Sequence, residues 1–363
     1  MPGQDIFNSM MRRRDLLARI SFLSALAGGR VTEASQETST GAPSLPSSMI
    51  QSVDGPLVVT ADLMRQRELF EGVFGLSLVA DQELSATTVR SLFGVIDRAA
   101  RTLLLQTKGT SVGIRLVEFR PPSKIAVRDG ARPIDTDALK VIDFMVPDFG
   151  KAIAALAARG FRLAAPPASY STPEDGRFTE GHIAGPDGVV CALLQMHDAP
   201  LSKYVQVTDE TFSEILGVSA PVSDRESALR FYRDALKLSA VLSYEIANES
   251  FQKLLGSKEK TLLRGANFGI GARAPMIGVI HYGLPGSAFR SLRDRAVLPH
   301  RGLLALRLSV RSVDAVAGAA TAAGLEIVAP PAESLLFPQG RIKSTLIRAP
   351  HGVLHHFTET LKA

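Results

Sequence analysis

Residues 156–167 read LAARGFRLAAPP, and residues 320–331 read ATAAGLEIVAPP. Each stretch is followed by a Gly-Arg pair and then by a related turn sequence, GPDGVV in the first case and APHGVL in the second. Gly160 and Gly324 are 164 residues apart, and the Gly-Arg pairs and the turns keep the same offset of 164. Separated landmarks that share one offset indicate an internal duplication of the chain.

A second pair of landmarks divides each half again. LFEGVFGLSL ends a helical pattern near Leu76, and LRFYRDALKLSA ends a similar pattern near Leu238, which lies 162 residues later. The chain therefore contains four similar units. In each unit a short apolar strand leads into an amphipathic helix, and further strands follow.

The strands that open the second and fourth units predict a two-sided sheet. In KVIDFMV, Ile142 and Phe144 fall on one face and Asp143 on the other, and in LALRLSV the leucines alternate with Arg307 in the same way. Asp143 and Arg307 occupy equivalent positions, on the face away from the helix. A polar residue that recurs on this face favours a ligand cavity. Alternatively, the two side chains form an ion pair between the halves.

Length and composition favour two well-packed domains. The 363 residues are 45% hydrophobic and 21% charged, with a formal net charge of +5. We expect two-module domains at residues 53–200 and 210–360. No basic run interleaved with aromatic residues appears, so a nucleic-acid partner is not expected. A single cysteine, Cys191, excludes an internal disulfide and a cysteine-based metal cluster.

The N-terminal segment has the pattern of a targeting signal. MRRRDLLARISFLSALAGG at residues 11–29 places three arginines before an apolar stretch, as in a twin-arginine export signal. Residues 1–30 are interpreted as such a signal, which implies a periplasmic protein, or as a basic tail on a cytoplasmic one. Residues 31–52 are predicted to be a flexible linker. No apolar run is long enough to enter and span a membrane, and a homodimer is left open.

The four units resemble a known superfamily. SDRESALRFYRDALKL at residues 223–238, followed by AAGLEIVAPP, a Gly-Arg pair and APHGVL, is similar to the vicinal oxygen chelate superfamily of glyoxalases, extradiol dioxygenases and bleomycin-resistance proteins. The resemblance extends over residues 53–359. It implies an α+β fold of four βαβββ modules, which form two paired, curved mixed sheets with helices on the outer faces.

Many members of that superfamily bind a divalent metal through a His in the opening strand and a Glu in the closing strand. The resemblance places residues without ligating side chains at the four His positions: Gly55, Val141, Gly217 and Ala305. The Glu positions fall at Glu118, Ala192, His281 or Tyr282, and His356. A catalytic metal needs at least three protein ligands, so no cofactor is expected. A relocated site for Fe, Mn, Zn or Ni would use His281, His300 and His356.

Four side chains are candidates for catalysis by proton transfer. His356 is the natural base, because imidazole titrates near neutral pH. Glu118 or Asp143 is the carboxylate alternative, if burial raises its pKa. Tyr282 has a hydroxyl that can stabilise a developing oxyanion. The second half is expected to be the working half, because five of the seven histidines follow residue 250.

Four further residues are candidates for binding the substrate: Arg307, His281, Ser309 and Ser219. Arg307 would hold an oxyanion or a carboxylate. His182 and His197 are expected to be structural or exposed.

Three functions are compatible with these residues. The first is a metal-independent lyase or isomerase that acts by acid–base chemistry on a small organic molecule of aromatic or polyketide-like type. The second is a small-molecule binding protein of the bleomycin-resistance type. The third is a metal-dependent extradiol dioxygenase or glyoxalase with relocated ligands.

Overall fold

The structure is a computed structural model that describes residues 49–128, 134–271 and 273–362. The predicted export signal or basic tail lies outside these ranges. The predicted linker lies outside them up to residue 48, and its last residues belong to the first strand, which begins at Ile50. Within the described ranges, every helix is too short or too polar to cross a membrane.

Each of the four units contains a strand, a helix and further strands, as predicted. The first comprises β1 (Ile50–Val59), α1 (Leu63–Phe70), β2 (Ser77–Leu84), α2 (Ala86–Phe93), β3 (Ala99–Gln106) and β4 (Gly113–Arg120). After the two-residue strand β5 (Asp135–Thr136), the second comprises β6 (Val141–Met145), α3 (Phe149–Ala158), β7 (Ala168–Thr172), β8 (Gly176–Ala184) and β9 (Val190–Met196).

The third and fourth modules repeat this order. The third comprises β10 (Ile215–Pro221), α4 (Arg225–Arg230) with a π-helical turn at Phe231–Ala235, β11 (Ser239–Ile246), α5 (Glu249–Leu255), β12 (Leu263–Gly269) and β13 (Met276–His281). After the short strand β14 (Arg290–Ser291), the fourth comprises β15 (Gly302–Val310), α6 (Val313–Ala322), β16 (Glu326–Leu336), β17 (Gly340–Arg348) and β18 (Leu354–Thr360).

The main helix of each module begins at the same kind of N-cap. A short polar side chain just after the opening strand accepts a hydrogen bond from the backbone N–H three residues later, which satisfies one free donor of the first helical turn. The four capping residues are Asp62, Asp148, Asp224 and Ser312. This repeated cap starts each helix at an equivalent place and so reproduces the same module four times.

The strands form two curved mixed sheets of eight strands each. One has the order β16-β17-β18-β15-β1-β4-β3-β2 and joins the first module to the fourth. The other has the order β11-β12-β13-β10-β6-β9-β8-β7 and joins the second module to the third. We call them the 1–4 sheet and the 2–3 sheet. In each, the two opening strands pair antiparallel at the centre, β1 with β15 and β6 with β10.

This strand order corrects the predicted domain boundaries. Residues 53–200 and 210–360 were expected to form one two-module sheet each, but each sheet takes one module from each half. The helix-bearing faces of both sheets share one core, where the rings of Phe74 and Phe144, from the first and second modules, stack at 4.1 Å. Sequence adjacency therefore does not decide which modules pair.

The two sheets differ on the face away from this core. In the 1–4 sheet, α2 packs its buried side chains Val89, Leu92 and Phe93 onto that face, together with Phe119. In the 2–3 sheet, the equivalent helix α5 packs at one side, against β7. The concave face of the 1–4 sheet is thus filled by protein, whereas the concave face of the 2–3 sheet encloses a cavity.

Candidate active site

The cavity lies on the concave face of the 2–3 sheet. Its enclosed space is about 110 Å³, and about 970 Å³ when the open mouth and the adjoining solvent are counted. Most of its wall is apolar or aromatic, and Tyr170 stacks on Phe178 at 5.4 Å and meets the ring of Phe251 edge-on at 5.5 Å. A concave, largely apolar surface on which several polar side chains converge is typical of a small-molecule site. Its polar lining residues are Lys140, Asp143, Tyr170, Thr172, Asp175, Glu180, His182, Tyr204, Ser219, Tyr244, Asn267 and Tyr282.

Asp143 lies near the centre of the sheet, because β6 is one of the two central strands. It lines the cavity, and its Oδ2 accepts a hydrogen bond of 2.8 Å from the Ser219 hydroxyl on β10. Its strand neighbour across the sheet is Gly217, which has no side chain to cover it. The pKa of Asp143 is raised to about 8: desolvation raises it, the hydrogen bond from Ser219 opposes this, and the charge of Glu180 adds to it. At neutral pH this carboxyl group therefore holds a proton.

A second polar group faces the cavity from β8. The Glu180 carboxylate is 2.8 Å from Nε2 of His182 and accepts a hydrogen bond of 2.7 Å from the Tyr170 hydroxyl. Burial and the adjacent Glu180 raise the pKa of Tyr170, so this hydroxyl keeps its proton. The arrangement fixes an imidazole and a carboxylate side by side on one wall.

Asp175 forms a third group at the cavity wall. Its carboxylate is buried, accepts hydrogen bonds of 2.9 and 3.0 Å from the Tyr204 hydroxyl, and pairs with the Lys203 ammonium. Both of its oxygens are therefore engaged by donors of the protein. This group is suited to holding the wall together rather than to reacting.

Three comparisons place this architecture among known proteins. No protein-family model and no curated protein sequence matches the chain. Glyoxalase I from Zea mays superposes with a TM-score of 0.56 at 14% identity, over 85% of this chain and 92% of that one. A candidate dioxygenase from Bacillus subtilis superposes with a TM-score of 0.55 at 8% identity, over 87% of each chain.

The chain has the vicinal oxygen chelate fold. The superpositions extend over most of both chains, so the fused four-module architecture is shared as well as the single module. At 8–14% identity the likeness concerns the fold, and the chemistry has to be argued from the residues of this chain.

Three of the predicted site residues line the cavity of this vicinal oxygen chelate fold. They are Asp143, Ser219 and Tyr282. The predicted ion pair between Asp143 and Arg307 is not formed, because the two residues belong to different sheets. The cavity is built by the second and third modules, one from each half, and not by the second half alone.

His356 lies in the 1–4 sheet and not at the cavity. Its ring is fully buried against Phe93, and neither ring nitrogen has a hydrogen-bond partner among the described residues. Burial, together with the charges of Arg307 and Arg115, lowers the pKa of His356 to about 3. The structure therefore does not place His356, the predicted catalytic base, at this cavity, and its burial favours the neutral imidazole.

Glu118 and Ser309 also belong to the 1–4 sheet. Val117 and Phe119 point into the core under α2, so Glu118 between them points to the opposite face, where its strand partner is Arg101. The Ser309 hydroxyl donates to Asp54 at 2.7 Å. Neither Glu118 nor Ser309 therefore lines the cavity of the 2–3 sheet.

The alternative metal ligands are not brought together. His281 ends β13 of the 2–3 sheet, where its Nδ1 accepts a hydrogen bond from the backbone N–H of Gly283. His300 lies in a loop, with its Nδ1 3.0 Å from the carbonyl of Arg295, and His356 is in the other sheet. Within the described ranges no three His, Cys, Asp or Glu residues form a group that could hold a metal. The residues present therefore do not fit the metal that this fold often carries.

Arg307 is held by the main chain and not by the cavity. Its guanidinium donates to the carbonyl oxygens of Asp54, Pro56 and Gly113, at 2.5, 3.3 and 2.6 Å. Burial lowers its pKa to about 10, so it is still cationic at neutral pH. Its role is to join β1, β4 and β15 where Gly55 leaves room for it.

We expect the substitution Arg307→Met to destabilise the fold without affecting the cavity. It removes three buried hydrogen bonds and leaves their carbonyl acceptors unpaired, which costs about 3 kcal/mol of unfolding free energy. Urea unfolding measures the loss, and Arg341→Met, at an exposed arginine, is the matched control. If the variant keeps normal stability but loses ligand binding in the 2–3 sheet, Arg307 belongs to the substrate site instead.

The polar groups that sequence reasoning missed follow a simple pattern. Phe178, Glu180 and His182 alternate along β8, so all three face the cavity. This period-two pattern can be read from the sequence. It was not applied to His182, which was predicted to be structural or exposed. Lys140 precedes β6 and falls outside the alternation of that strand, so no pattern could have placed it in the wall.

Proposed function

We propose that the protein is an enzyme that transfers protons on a small, largely apolar organic molecule bound in the cavity of the 2–3 sheet. The observation that carries this proposal is Asp143: a half-buried carboxyl group that faces a largely apolar cavity and has a pKa raised to about 8. Such a group lowers stability at neutral pH, and perturbed carboxyl groups in cavities are common at active sites.

Asp143 has the properties of a general acid at neutral pH. It enters the reaction protonated, and after it gives up its proton, the Ser219 hydroxyl already points at the carboxylate and stabilises it. His182 and Glu180 form a pair on β8, another strand of the same sheet. His182 is a second candidate acid–base group in the same cavity. Two such groups in different environments are what an isomerase, lyase or cyclase requires.

The walls favour a planar substrate. Tyr170, Phe178 and Phe251 offer ring faces and edges at which an aromatic or conjugated ring stacks favourably. The polar groups stand among these apolar and aromatic side chains, so they orient the ligand. An aromatic or polyketide-like molecule with one or two oxygen substituents fits this lining.

Solvent deuterium exchange tests the proposal, because it detects proton transfer whatever product the enzyme forms. Aromatic and cyclic ketones are first screened for binding by the shift of the melting temperature. Compounds that bind are then incubated with the protein in D₂O, and proton NMR follows the loss of their C–H signals. We expect exchange or conversion at least about 100-fold above the uncatalysed rate, the lower end of acid–base catalysis.

A different result would support a protein that binds its ligand without reacting with it. If several compounds bind in the cavity but none exchanges or reacts, the site only sequesters its ligand, as a binding protein of the bleomycin-resistance type would. Methionine methyl signals locate the ligand, because Met145 and Met276 both line the cavity.

A further inference from the structure

A buried lysine lies in the wall of the same cavity, apart from the acid–base groups. Lys140 is buried just before β6, and its Nζ is 3.1 Å from the hydroxyl of Tyr282, which also lines the cavity. The backbone N–H of Lys140 donates to the carbonyl of Ser219 at 2.9 Å. The main chain is therefore fixed at this position, and the lysine side chain extends along a defined wall.

The surroundings make this amine reactive. Burial lowers the pKa of Lys140 to about 8, with Asp135 opposing and Arg128 assisting the shift. A lysine with this pKa is about 10% neutral amine at pH 7, several hundred times more than an exposed lysine. Desolvation in an apolar pocket is one of the ways in which proteins activate lysine as a nucleophile.

Lys140 lies three positions before Asp143 in the chain, and both side chains line the same cavity. A molecule held at the lysine therefore extends into the part of the cavity where Asp143 and Ser219 lie. The cavity has a nucleophilic end and an acidic centre, which suits a substrate whose reactive group is at one end.

We propose that Lys140 captures an aldehyde or ketone substrate as an imine. The amine lone pair forms a bond to the carbonyl carbon, and the electron pair of the C=O bond moves to its oxygen, which takes a proton. A second proton transfer then releases water as the C=N bond forms, so that amine and carbonyl give imine and water. The Tyr282 hydroxyl, in contact with the amine, relays these protons.

This inference rests on the proposed function for the use of the cavity as a substrate site, and it adds the substrate class. The protonated imine withdraws electrons from the neighbouring carbon, so that a C–H bond there becomes acidic. The proton transfers proposed above then act on an activated substrate.

Reductive trapping tests the imine. The full chain is incubated at pH 7 with benzaldehyde and cyanoborohydride, which converts an imine to a stable benzyl-amine, and peptide mass spectrometry maps the adducts. We expect Lys140 to be benzylated at least ten times faster than the exposed Lys253. Lys140→Arg should lose this adduct while keeping the unfolding curve, and Tyr282→Phe should slow the reaction at least fivefold.

The failures of the two proposals are distinguishable. If the exposed lysines are labelled and Lys140 is not, although methionine methyl NMR shows benzaldehyde in the cavity, the imine proposal is overturned. The proposed proton transfer is unaffected by that result. If neither benzaldehyde nor any compound of the ketone screen perturbs Met145 or Met276, the cavity is not a substrate site and both proposals fail.

Discussion

Asp143→Asn is expected to abolish proton transfer and, at the same time, to make the protein more stable at neutral pH. The amide keeps the shape of the side chain and can still accept the hydrogen bond from Ser219, but it cannot donate and retake a proton. Loss of a general acid lowers the rate by about 10²–10⁴-fold. The exchange rate of a bound ligand in D₂O measures this loss.

The gain in stability follows from the raised pKa. Between pH 4 and pH 8 the folded protein holds the Asp143 proton and the unfolded chain does not, so the free energy of unfolding falls as the pH rises. At pH 7 this penalty amounts to about 4 kcal/mol. Asn removes the titration but remains a buried polar group, so the expected net gain at pH 7 is about 2 kcal/mol.

Urea unfolding at pH 4.5 and pH 7 checks this prediction. The difference in unfolding free energy between the variant and the parent protein should grow between the two pH values. Glu118→Gln is the matched control, because it neutralises a carboxylate on the opposite face of the other sheet. It should change neither the exchange rate nor the stability. A destabilised but active Asp143→Asn variant would contradict the account.

Mild acid is expected to unfold the protein because three buried histidines must stay neutral. Burial lowers the pKa of His355 and of His356 to about 3, and burial with the neighbouring His355 and Arg293 lowers that of His351 well below its usual range. The hydroxyl of Tyr232 lies 3.1 Å from Nε2 of both His351 and His355. This cluster joins the third module to the fourth.

The direction of the effect follows from proton binding. Below about pH 6.5 the unfolded chain takes up protons at these histidines and the folded protein does not, so stability is present above this pH and is lost as the pH falls towards 3. Between pH 6.5 and pH 5 His355 and His356 each cost about 2 kcal/mol, and His351 acts in the same direction. Asp143 offsets about 2 kcal/mol over the same interval, so the net loss is at least about 2 kcal/mol.

Chemical unfolding between pH 7 and pH 5 measures this loss. His356→Leu should reduce the histidine contribution by about a third, since it removes one of three titrating groups. His197→Gln, at an exposed histidine, should leave the pH dependence unchanged. A free energy of unfolding that stays flat over this range, in the Asp143→Asn background where nothing offsets the histidines, would show that these imidazoles are hydrated.

The modules of the fold were predictable because their signals are local. The alternation in β6 and β15 and the polar residue after each opening strand act within a single module, and the constant offset between the halves shows that the module recurs. The pairing of the modules was not predictable in the same way. All four have similar edges, so the choice of partner depends on how the helix-bearing faces pack in the shared core.

The site was predictable only where face assignment was enough. Asp143 and Ser219 were placed on the non-helix face by alternation, and they line the cavity. The same reasoning put Arg307 on this face, and the resemblance put His356 at a ligand position, but neither could show that α2 fills the concave face of the 1–4 sheet. Whether a concave surface holds a ligand or the protein's own side chains is decided by the helix inserted between two strands.

The titration of Asp143 tests the central claim most directly. The side-chain carboxyl carbon is followed by ¹³C NMR in protein labelled at aspartate, and Asp143→Asn identifies the signal. We expect a midpoint near pH 8, because desolvation in the cavity wall favours the neutral acid, which can donate a proton at neutral pH. A midpoint below about pH 5 would mean that Asp143 is ionised and solvated, and it would remove the general acid on which the proposed function depends.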